Sequence, residues 1–223
     1  NDRIAALLAQ LLNAEQLLML TDTDGIYSQD PKKKNSENVK LIREIGSIDK
    51  IDAVVGGASG KLGSGGMESK LAAAKMASWA GVTTTIAAAT RHNVVADSFL
   101  QLGELGTIIH PKPKPLSARK LWIAFAVQPK GKLIIDKGAQ EAIEENGGSL
   151  LVVGVLEQHG TFERGDAVEI LNEKSELIAR GLVSLSSSEL KDSLNKNVSE
   201  AEKMQLSEII HRDELVILSE KHY

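Results

Sequence analysis

The sequence predicts an α/β layer sandwich with mostly parallel strands, followed by a small β-barrel. In the first half, apolar strand-like runs alternate with helical patterns at lengths that are typical of a parallel sheet. The segment Pro111–Pro115 then places three of the chain's prolines close together, which favours an extended, semi-rigid linker. After it, short β runs punctuated by Gly and Asn dominate. We therefore predict two domains, residues 1–115 and residues 116–223.

The first domain opens with a helix and a strand. Ile4, Leu8 and Leu11 recur at helical spacing, and the apolar run Leu17–Leu20 is typical of a buried parallel strand. Gly81 stands where a glycine commonly ends a helix. The other predicted elements of this domain are, in order, a helix over 67–80, a strand over 82–89, a helix over 92–102 and a strand over 106–109.

Three segments of the first domain are polar or rich in glycine. Residues 32–38 favour an exposed loop. Residues 47–55 are ambiguous, although the spacing of their apolar side chains suggests a helix. Residues 56–66 are dense in glycine, so we predict a loop there.

The second domain has a different texture. One short helix is predicted over 139–145, between β runs. The predicted strands cover 132–135, 150–153, 167–171, 177–183 and 215–218. Short strands separated by turn residues favour a small β-barrel.

The composition excludes several classes of function. The 223 residues include no cysteine, which removes disulfides, thiolate metal sites and cysteine nucleophiles. Hydrophobic residues make up 42% and charged residues 25%, as is ordinary for a soluble globular protein. No apolar run approaches the roughly 18 residues that a membrane span needs, and no secretory signal opens the chain. We therefore interpret the protein as cytoplasmic, without a membrane partner.

Charge is divided unevenly between the two halves. Residues 1–115 carry 13 Lys and Arg against 12 Asp and Glu, a net charge of +1. Residues 116–223 carry 13 against 18, a net charge of −5. An acidic C-terminal half is a poor electrostatic partner for a phosphate backbone, which disfavours RNA binding.

A threonine–aspartate turn, Thr21–Tyr27, follows the first predicted strand directly. Loops at the carboxyl ends of parallel strands are where open α/β sheets bind ligands. Thr21 and Asp22 could offer backbone amides and a carboxylate to a ribose or an adenine. A plain Asx turn that closes the strand explains the same residues equally well.

A second candidate site is the segment Gly63–Lys70, a glycine-rich loop that runs into a helix. Its amides and the helix N-terminus can hold a phosphate, and Lys70 lies close enough to reach the same anion. The segment is not a Walker A loop, because the Gly60-Lys61 pair is followed by Leu62 and the first glycine position holds Val55. The alternative is a flexible surface loop.

Two other kinds of site lack support in the sequence. The five histidines are scattered without metal-ligand spacing, so we predict no metal site built from side chains. No Gly-x-Ser-x-Gly motif is present, which argues against a serine hydrolase.

The motifs of the first domain resemble those of amino-acid kinases. Leu20-Thr21-Asp22-x-x-Gly25-Ile26-Tyr27-x-x-Asp30-Pro31 is similar to the strand and turn on their nucleotide side. Gly63-Ser64-Gly65-Gly66-Met67-x-Ser69-Lys70-Leu71-x-Ala73-Ala74 is similar to the form found in glutamate 5-kinases. This resemblance implies the three-layer amino-acid kinase fold for residues 1–115.

The C-terminal half narrows the resemblance. Gly131-x-Leu133-x-Ile135-Asp136-x-Gly138-Ala139 resembles the PUA domain of bacterial glutamate 5-kinases. Gly160-x-Phe162-x-Arg164-Gly165-Asp166-x-Val168 is similar to the same domain. The chain thus resembles the C-terminal part of the kinase domain followed by a PUA domain.

The resemblance implies a reaction and a set of site residues. ATP would phosphorylate the side-chain carboxylate of L-glutamate to L-glutamyl 5-phosphate, the first step toward proline, with Mg²⁺ bridging the phosphates. Lys70 would be catalytic, by supporting the β- and γ-phosphates. The implied nucleotide-binding residues are Thr21, Asp22, Ser64, Gly65, Gly66, Met67, Glu68, Ser69 and Lys70. Asn1 matches an asparagine that contacts glutamate, so it is the implied substrate-binding residue.

The resemblance also bears on what surrounds the chain. It implies a segment before Asn1 that carries most of the glutamate contacts, so we expect this chain to lack the N-terminal substrate-binding part. We also expect a homo-oligomer.

Two rival functions stay open at this point. One is a different amino-acid kinase that acts on aspartate or on a nucleoside monophosphate, because the Thr-Asp turn and parts of the glycine loop are shared across such relatives. The other is a non-catalytic module whose PUA domain grips RNA, which the net charge of its half disfavours.

Overall fold

The structure is a computed structural model, which divides into two compact units, Asn1–Ala118 and Arg119–Tyr223. The residues that it describes are 1–29, 39–46, 65–100, 105–195 and 208–219. The predicted loop at 32–38, the ambiguous segment 47–55 and the glycine-rich residues 56–64 lie outside the described residues. The division of functions at Pro115 stays a prediction.

The first unit confirms the predicted alternation of helices and strands. Its elements are α1 (Asp2–Leu11), β1 (Gln16–Thr21), β2 (Glu44–Ile45), α2 (Gly65–Trp79), β3 (Thr83–Ala88), α3 (Val94–Leu100) and β4 (Thr107–Ile109). Helix α2 begins at Gly65, two residues before the predicted start, so the last two glycines of the predicted loop belong to the helix. The short strand β2 was not predicted.

The four described strands of this unit are ordered β1-β3-β4-β2. Strands β1 and β3 are parallel, from Gln16 opposite Thr83 to Thr21 opposite Ala88, and β2 is parallel to β4. Strand β4, however, runs antiparallel to β3, which corrects the expectation that it joins a parallel sheet. The chain leaves β3 and enters β4 at the same end of the sheet, so the connection through α3 does not have to cross it.

Two helix–strand pairs set the polarity of the first unit. Short connections, 12–15 and 80–82, join α1 to β1 and α2 to β3, so each helix runs back along the strand that follows it. Helices α1 and α2 pack against each other. The N-terminal ends of both helices therefore lie at the end of the sheet where β1 and β3 finish, at Thr21 and Ala88. We call this end the carboxyl edge.

The proline segment is packed onto the C-terminal end of α2. The Lys112 amide donates to the Ser78 carbonyl at 2.9 Å, and the Leu116 amide donates to the Trp79 carbonyl at 2.8 Å. The Lys112 ammonium lies 3.7 Å from the centre of the Trp79 ring. Because the last carbonyls of a helix have no partner within it, this segment completes α2 and belongs to the packing of the first unit.

The second unit is rich in β structure, as predicted. Its helices are α4 (Ala118–Leu121), which starts at the last residue of the first unit, a π-helical turn (Trp122–Ala126), α5 (Lys137–Glu144) and α6 (Ser187–Asn195). Its strands are β5 (Gly131–Ile135), β6 (Leu150–Leu151), β7 (Val155–Gly160), β8 (Ala167–Leu171), β9 (Leu177–Leu182), β10 (Glu208–Ile210) and β11 (Leu215–Ile217). Five of these strands form a sheet of order β11-β9-β8-β5-β7, and β10 pairs with β6.

The sequence did not predict α4, the π-helical turn, β7, β10 or α6. The predicted strand over 150–153 is wrong beyond Leu151, because Val152–Gly154 form a 3₁₀ turn that leads into β7. The start of α6 carries a capping signature that could have revealed it: the Ser186 amide donates to Glu189 Oε2 at 2.8 Å, and the Glu189 amide donates to Ser186 Oγ at 3.3 Å.

One cluster of apolar side chains fills the second unit. Leu133, Ile170 and Phe162 are essentially inaccessible to solvent within it. A Cβ added at Gly131 would lie 2.5 Å from the Phe162 ring, so the β5 backbone approaches this ring as closely as only glycine allows. Across both units, none of the described helices is long and apolar enough to cross a membrane.

Candidate active site at the carboxyl edge

The N-termini of α1 and α2 meet through three side chains. The Ser69 hydroxyl donates to Asp2 Oδ2 at 2.5 Å. The Lys70 ammonium lies 3.3 Å from the same oxygen and 3.4 Å from Asp2 Oδ1. The side chain of Lys70 is 15% exposed and that of Asp2 is 23% exposed, so the ion pair is largely shielded from water. Asp2 therefore fixes the position of the Lys70 charge.

Electrostatics keep the Asp2 carboxylate ionised. The hydrogen bond from Ser69 lowers the pKa of Asp2 below its ordinary value, and the hydrogen bond and charge of Lys70 act in the same direction against the opposing effect of burial. The ionised Asp2 carboxylate therefore faces the Lys70 side chain beside the start of α2.

Asn1 stands next to this ion pair. Its carbonyl accepts a hydrogen bond from the Ala5 amide at 3.0 Å, which starts α1. Its side chain makes no capping hydrogen bond and is exposed. Asn1 and Lys70 were assigned to different ligands on the basis of sequence, and Asp2 links the two positions.

The first turn of α2 consists of Gly65, Gly66, Met67 and Glu68. The first amides of a helix have no carbonyl partner within it, and together with the helix dipole they favour an anion. Lys70 lies just after this turn. The side chain of Ser64, another predicted nucleotide contact, lies outside the described residues.

The Thr21–Tyr27 turn also lies at the carboxyl edge. The Ala89 amide donates to the Thr21 carbonyl at 2.8 Å, so the β1–β3 pairing continues to the end of the strands. The Thr21 hydroxyl donates to Asp22 Oδ1 at 3.2 Å. The turn thus places Asp22 immediately beyond the paired backbone, at the end of the sheet where α2 begins.

The distal part of the turn is held by its own side chains. The Tyr27 hydroxyl donates to Asp24 Oδ2 at 3.0 Å, and the Thr23 hydroxyl donates to the Gly25 carbonyl at 3.2 Å. Burial raises the pKa of the Tyr27 phenol, and Asp24 adds to this effect. The Asp24 carboxylate is thus engaged within the turn, whereas the Asp22 carboxylate is bonded to the neighbouring Thr21.

Two residues of this region were missed by sequence reasoning. Asp2 was overlooked because an acidic residue in a first helical turn usually serves the helix dipole alone. Thr107, in β4, hydrogen-bonds the Ile26 amide of the turn at 2.8 Å. A β-branched residue in a predicted strand gives no sign of such a contact. For Asp2, the polar pair Asn1-Asp2 before an apolar helix is a signal that could have drawn attention to it.

Two family models match the chain. Residues 1–87 match the amino acid kinase family, and residues 131–204 match the PUA domain.

Curated proteins that are similar to this chain include glutamate 5-kinases. The chain is 41% identical over 98% of its length to a glutamate 5-kinase of Rhodococcus opacus, of which it covers 58%. It is 40% identical over 97% of its length to a glutamate 5-kinase of Prochlorococcus marinus, of which it covers 59%. The chain therefore spans less than two thirds of the length of the relatives that it matches.

Among solved structures, a carbamate kinase from Giardia lamblia bound to AMP-PNP aligns with 50% of this chain. The alignment covers 35% of that kinase at 26% identity, with a TM-score of 0.39.

Proposed function

We propose that this chain, a relative of glutamate 5-kinases, carries the nucleotide-binding part of an enzyme that phosphorylates the side-chain carboxylate of L-glutamate with ATP. The observation that carries the proposal is the ion pair between Asp2 and Lys70, which joins the glycine-opened end of α2 to the residue next to Asn1. A cation fixed at that point is placed to act between a phosphate bound at α2 and an acceptor bound at Asn1.

In the proposed reaction, a glutamate carboxylate oxygen attacks the γ-phosphorus of ATP. A new O–P bond forms while the bond to the β-phosphate oxygen breaks, and ADP leaves with that electron pair. No proton has to move, because the acceptor is already an anion. Catalysis of such a transfer consists of in-line alignment and stabilisation of the charge on the transferring group.

The residues of α2 would supply the charge stabilisation. The Lys70 ammonium would contact the transferring phosphoryl group, and the amides of Gly65 and Gly66 would bind the adjoining phosphate oxygens. Ser69 and Asp2 would hold Lys70 in place, so that it does not have to reorganise as charge develops. Mg²⁺ would neutralise phosphate charge when it is bound with the nucleotide.

We propose that the metal ion arrives with ATP. Mg²⁺ keeps several waters and commonly binds through substrate phosphates. We therefore propose that phosphate oxygens and water provide its ligands here.

The nucleoside is proposed to bind at the turn after β1. Thr21 and Asp22 stand at the carboxyl edge, where ligands bind open α/β sheets, and the same edge carries the start of α2. Residues 1–115 would then form the nucleotide-binding part and residues 116–223 the PUA domain. The net charge of −5 on the latter argues against RNA as its partner.

The test has two arms. ATP binding is measured on this chain by calorimetry, and turnover is measured on the protein together with any segments that adjoin it in the cell. L-glutamate, L-aspartate and uridine monophosphate are compared as acceptors, with hydroxylamine trapping for acyl phosphates and ADP release for all three. We expect ATP binding and a preference for glutamate.

Each arm has an outcome that contradicts a different statement. Absence of ATP binding would remove the nucleotide site. Faster turnover with aspartate or uridine monophosphate would assign the chain to another amino-acid kinase activity and leave the nucleotide site intact.

A further inference from the structure

We infer that Thr107 is a positioning residue for the nucleoside site, because its hydroxyl anchors the Thr21–Tyr27 turn. The inference rests on the proposed function, in which this turn binds the nucleoside of ATP. It adds a residue that lies on a different strand and contacts the turn through one hydroxyl group.

The contact is a two-bond relay through one oxygen atom. The Ile26 amide donates to Thr107 Oγ1 at 2.8 Å, and the Thr107 hydroxyl donates to the Ile42 carbonyl at 2.6 Å. Thr107 is completely buried, and its hydrogen bond with the Ile26 amide is buried as well. One hydroxyl thus fixes the segment after β1 and the segment before β2 to the start of β4.

The relay completes a short antiparallel pairing. The Ile42 amide donates directly to the Ile26 carbonyl at 2.8 Å, and the Ser28 amide donates to the Lys40 carbonyl at 2.8 Å. In an antiparallel ladder, every second pair of opposing residues exchanges two direct hydrogen bonds. Between Ile26 and Ile42, the second bond of the exchange passes through Thr107.

The backbone around Thr107 is shaped for this contact. A Cβ added at Gly25 would lie 2.6 Å from Thr107 Oγ1 and 3.0 Å from the Thr107 amide nitrogen. A Cβ added at Gly106 would lie 2.0 Å from the Ile86 carbonyl oxygen, and Gly106 has a φ of 53°. Gly25 therefore allows the turn to approach Thr107, and Gly106 allows the start of β4 to approach β3.

Substitutions of Thr107 can separate its hydrogen-bonding function from its shape. Only a residue that both accepts and donates a hydrogen bond can serve the Ile26 amide and the Ile42 carbonyl together. Valine has the shape of threonine but can do neither. Serine lacks the methyl group and keeps both functions.

Loss of the relay should weaken ATP binding, because it lowers the population of the turn conformation that binds the nucleoside. When a binding-competent conformation is populated by a fraction f, the apparent dissociation constant rises by 1/f. The Ile26 amide is buried, and a buried donor without a partner is costly, so an unanchored turn will favour conformations in which this amide reaches water. The hydrogen bonds between Lys70, Ser69 and Asp2 do not involve the relay, so kcat and the KM for glutamate should be unchanged.

The experiment compares Thr107→Val with Thr107→Ser. We expect Thr107→Val to raise the dissociation constant and the KM for ATP about five- to tenfold. The KM for glutamate and kcat at saturating ATP should stay within about twofold, and amide exchange at Ile26 should accelerate. Thr107→Ser should restore ATP affinity to within about twofold of wild type.

Thr84→Val is the matched control. Thr84 is also fully buried, in the neighbouring strand β3, and its hydroxyl has no hydrogen-bond partner among the described residues. The same chemical change should therefore leave ATP affinity and Ile26 exchange at wild-type values.

Several outcomes would overturn the inference. Wild-type ATP affinity in Thr107→Val would do so, as would a Thr107→Ser variant as weak as Thr107→Val, because the methyl group would then be the important part. If Thr107→Val does not fold, Gly25→Ala, which crowds the same oxygen, decides: a raised KM for ATP alone supports the inference, and an unchanged KM overturns it. If the wild-type chain binds no ATP, this inference and the proposed function fall together.

Discussion

The two units of the protein differ in how completely they bury their large apolar side chains. In the first unit, large apolar residues on the helices are widely exposed: Leu11 by 73%, Leu12 by 74% and Phe99 by 80%. In the second unit, the most exposed large apolar residue among those described is Leu156, at 49%. The second unit therefore has a closed core, and the first unit has exposed large apolar residues on or next to its helices.

The contacts of the charged side chains can be compared between the two units in the same way. In the second unit, charged side chains pair with one another or cap helices, as Arg180 does with Glu169 at 3.0 Å and Asp136 does with the Ala139 amide at 2.7 Å. In the first unit, Asp2, Ser69 and Lys70 contact one another at the carboxyl edge, next to the exposed Asn1.

The largest expected effect is on the closed core of the second unit. Phe162→Ala removes a ring that is 1% exposed and packs against the backbone of β5. We expect it to lower the free energy of unfolding of this unit by about 3–5 kcal/mol, while the nucleotide affinity of the first unit stays at its wild-type value. Denaturant unfolding followed by far-UV circular dichroism, together with ATP titration, measures both quantities.

Leu156→Ala is the control for that comparison. Leu156 is a large apolar side chain of the same unit, but it is half-exposed, so its loss should change stability by only about 0.5 kcal/mol or less. A parallel loss of ATP affinity in Phe162→Ala would mean that the stability of the two units is not separable.

The next effect concerns the cation at the carboxyl edge. Lys70→Ala should lower kcat by at least about a hundredfold, the scale of one lost contact to transition-state charge, and should change ATP affinity less. Lys75→Ala, one and a half turns along the same helix, is the control and should keep near-normal turnover. Near-normal turnover in Lys70→Ala would remove this lysine from the mechanism.

A smaller effect should follow when Asp2 loses its charge but keeps its shape. In Asp2→Asn, the amide oxygen can still accept the Ser69 hydrogen bond, but the ionic contact with Lys70 is lost. We expect kcat to fall about fivefold, because a partly shielded ion pair that orients a group contributes on the order of 1 kcal/mol. The KM for ATP should change less than kcat.

Glu15→Gln controls for the loss of one negative charge. Glu15 is exposed and lies between α1 and β1, at the end of the sheet opposite to the carboxyl edge. An Asp2→Asn variant that behaves like Glu15→Gln would show that Lys70 does not depend on Asp2 for its position.

The sequence predicts some features of the fold and not others. Apolar periodicity predicted many of the strands and helices on both sides of Pro111–Pro115, because burial of one face is a local property of the sequence. It did not predict that β4 runs antiparallel to β3, since strand direction depends on where a connection returns to the sheet. Short polar elements such as α6 also escaped, although Ser186 and Glu189 form a recognisable capping pair.

The candidate site shows the same limit. Glycine spacing and a lysine near a helix start pointed to Lys70 from the sequence alone. Asp2 and Thr107 act through contacts with residues 67 and 81 positions away along the chain. Such contacts leave no local signature, so they became visible only when the strands were paired.

The smallest predicted effect is a pH dependence confined to the second unit, in which Glu189 is the sensitive group. The Arg164 side chain, followed by the Ser186 amide, lowers the pKa of Glu189 from 4.5 to about 2. A folded-state pKa below the unfolded value means that the ionised carboxylate stabilises the fold above about pH 4.5, and that this contribution is lost as the pH falls toward 2. In Glu189→Gln the contribution is absent at every pH. We therefore expect the unfolding midpoint of the variant to lie below that of the wild type at pH 7, and the difference to shrink steadily between pH 4.5 and 2. Glu173→Gln, which removes the same charge from an exposed turn, should follow the wild type throughout this range. A difference between wild type and Glu189→Gln that is as large at pH 2 as at pH 7 would mean that the shape of the side chain, and not its charge, stabilises the start of α6.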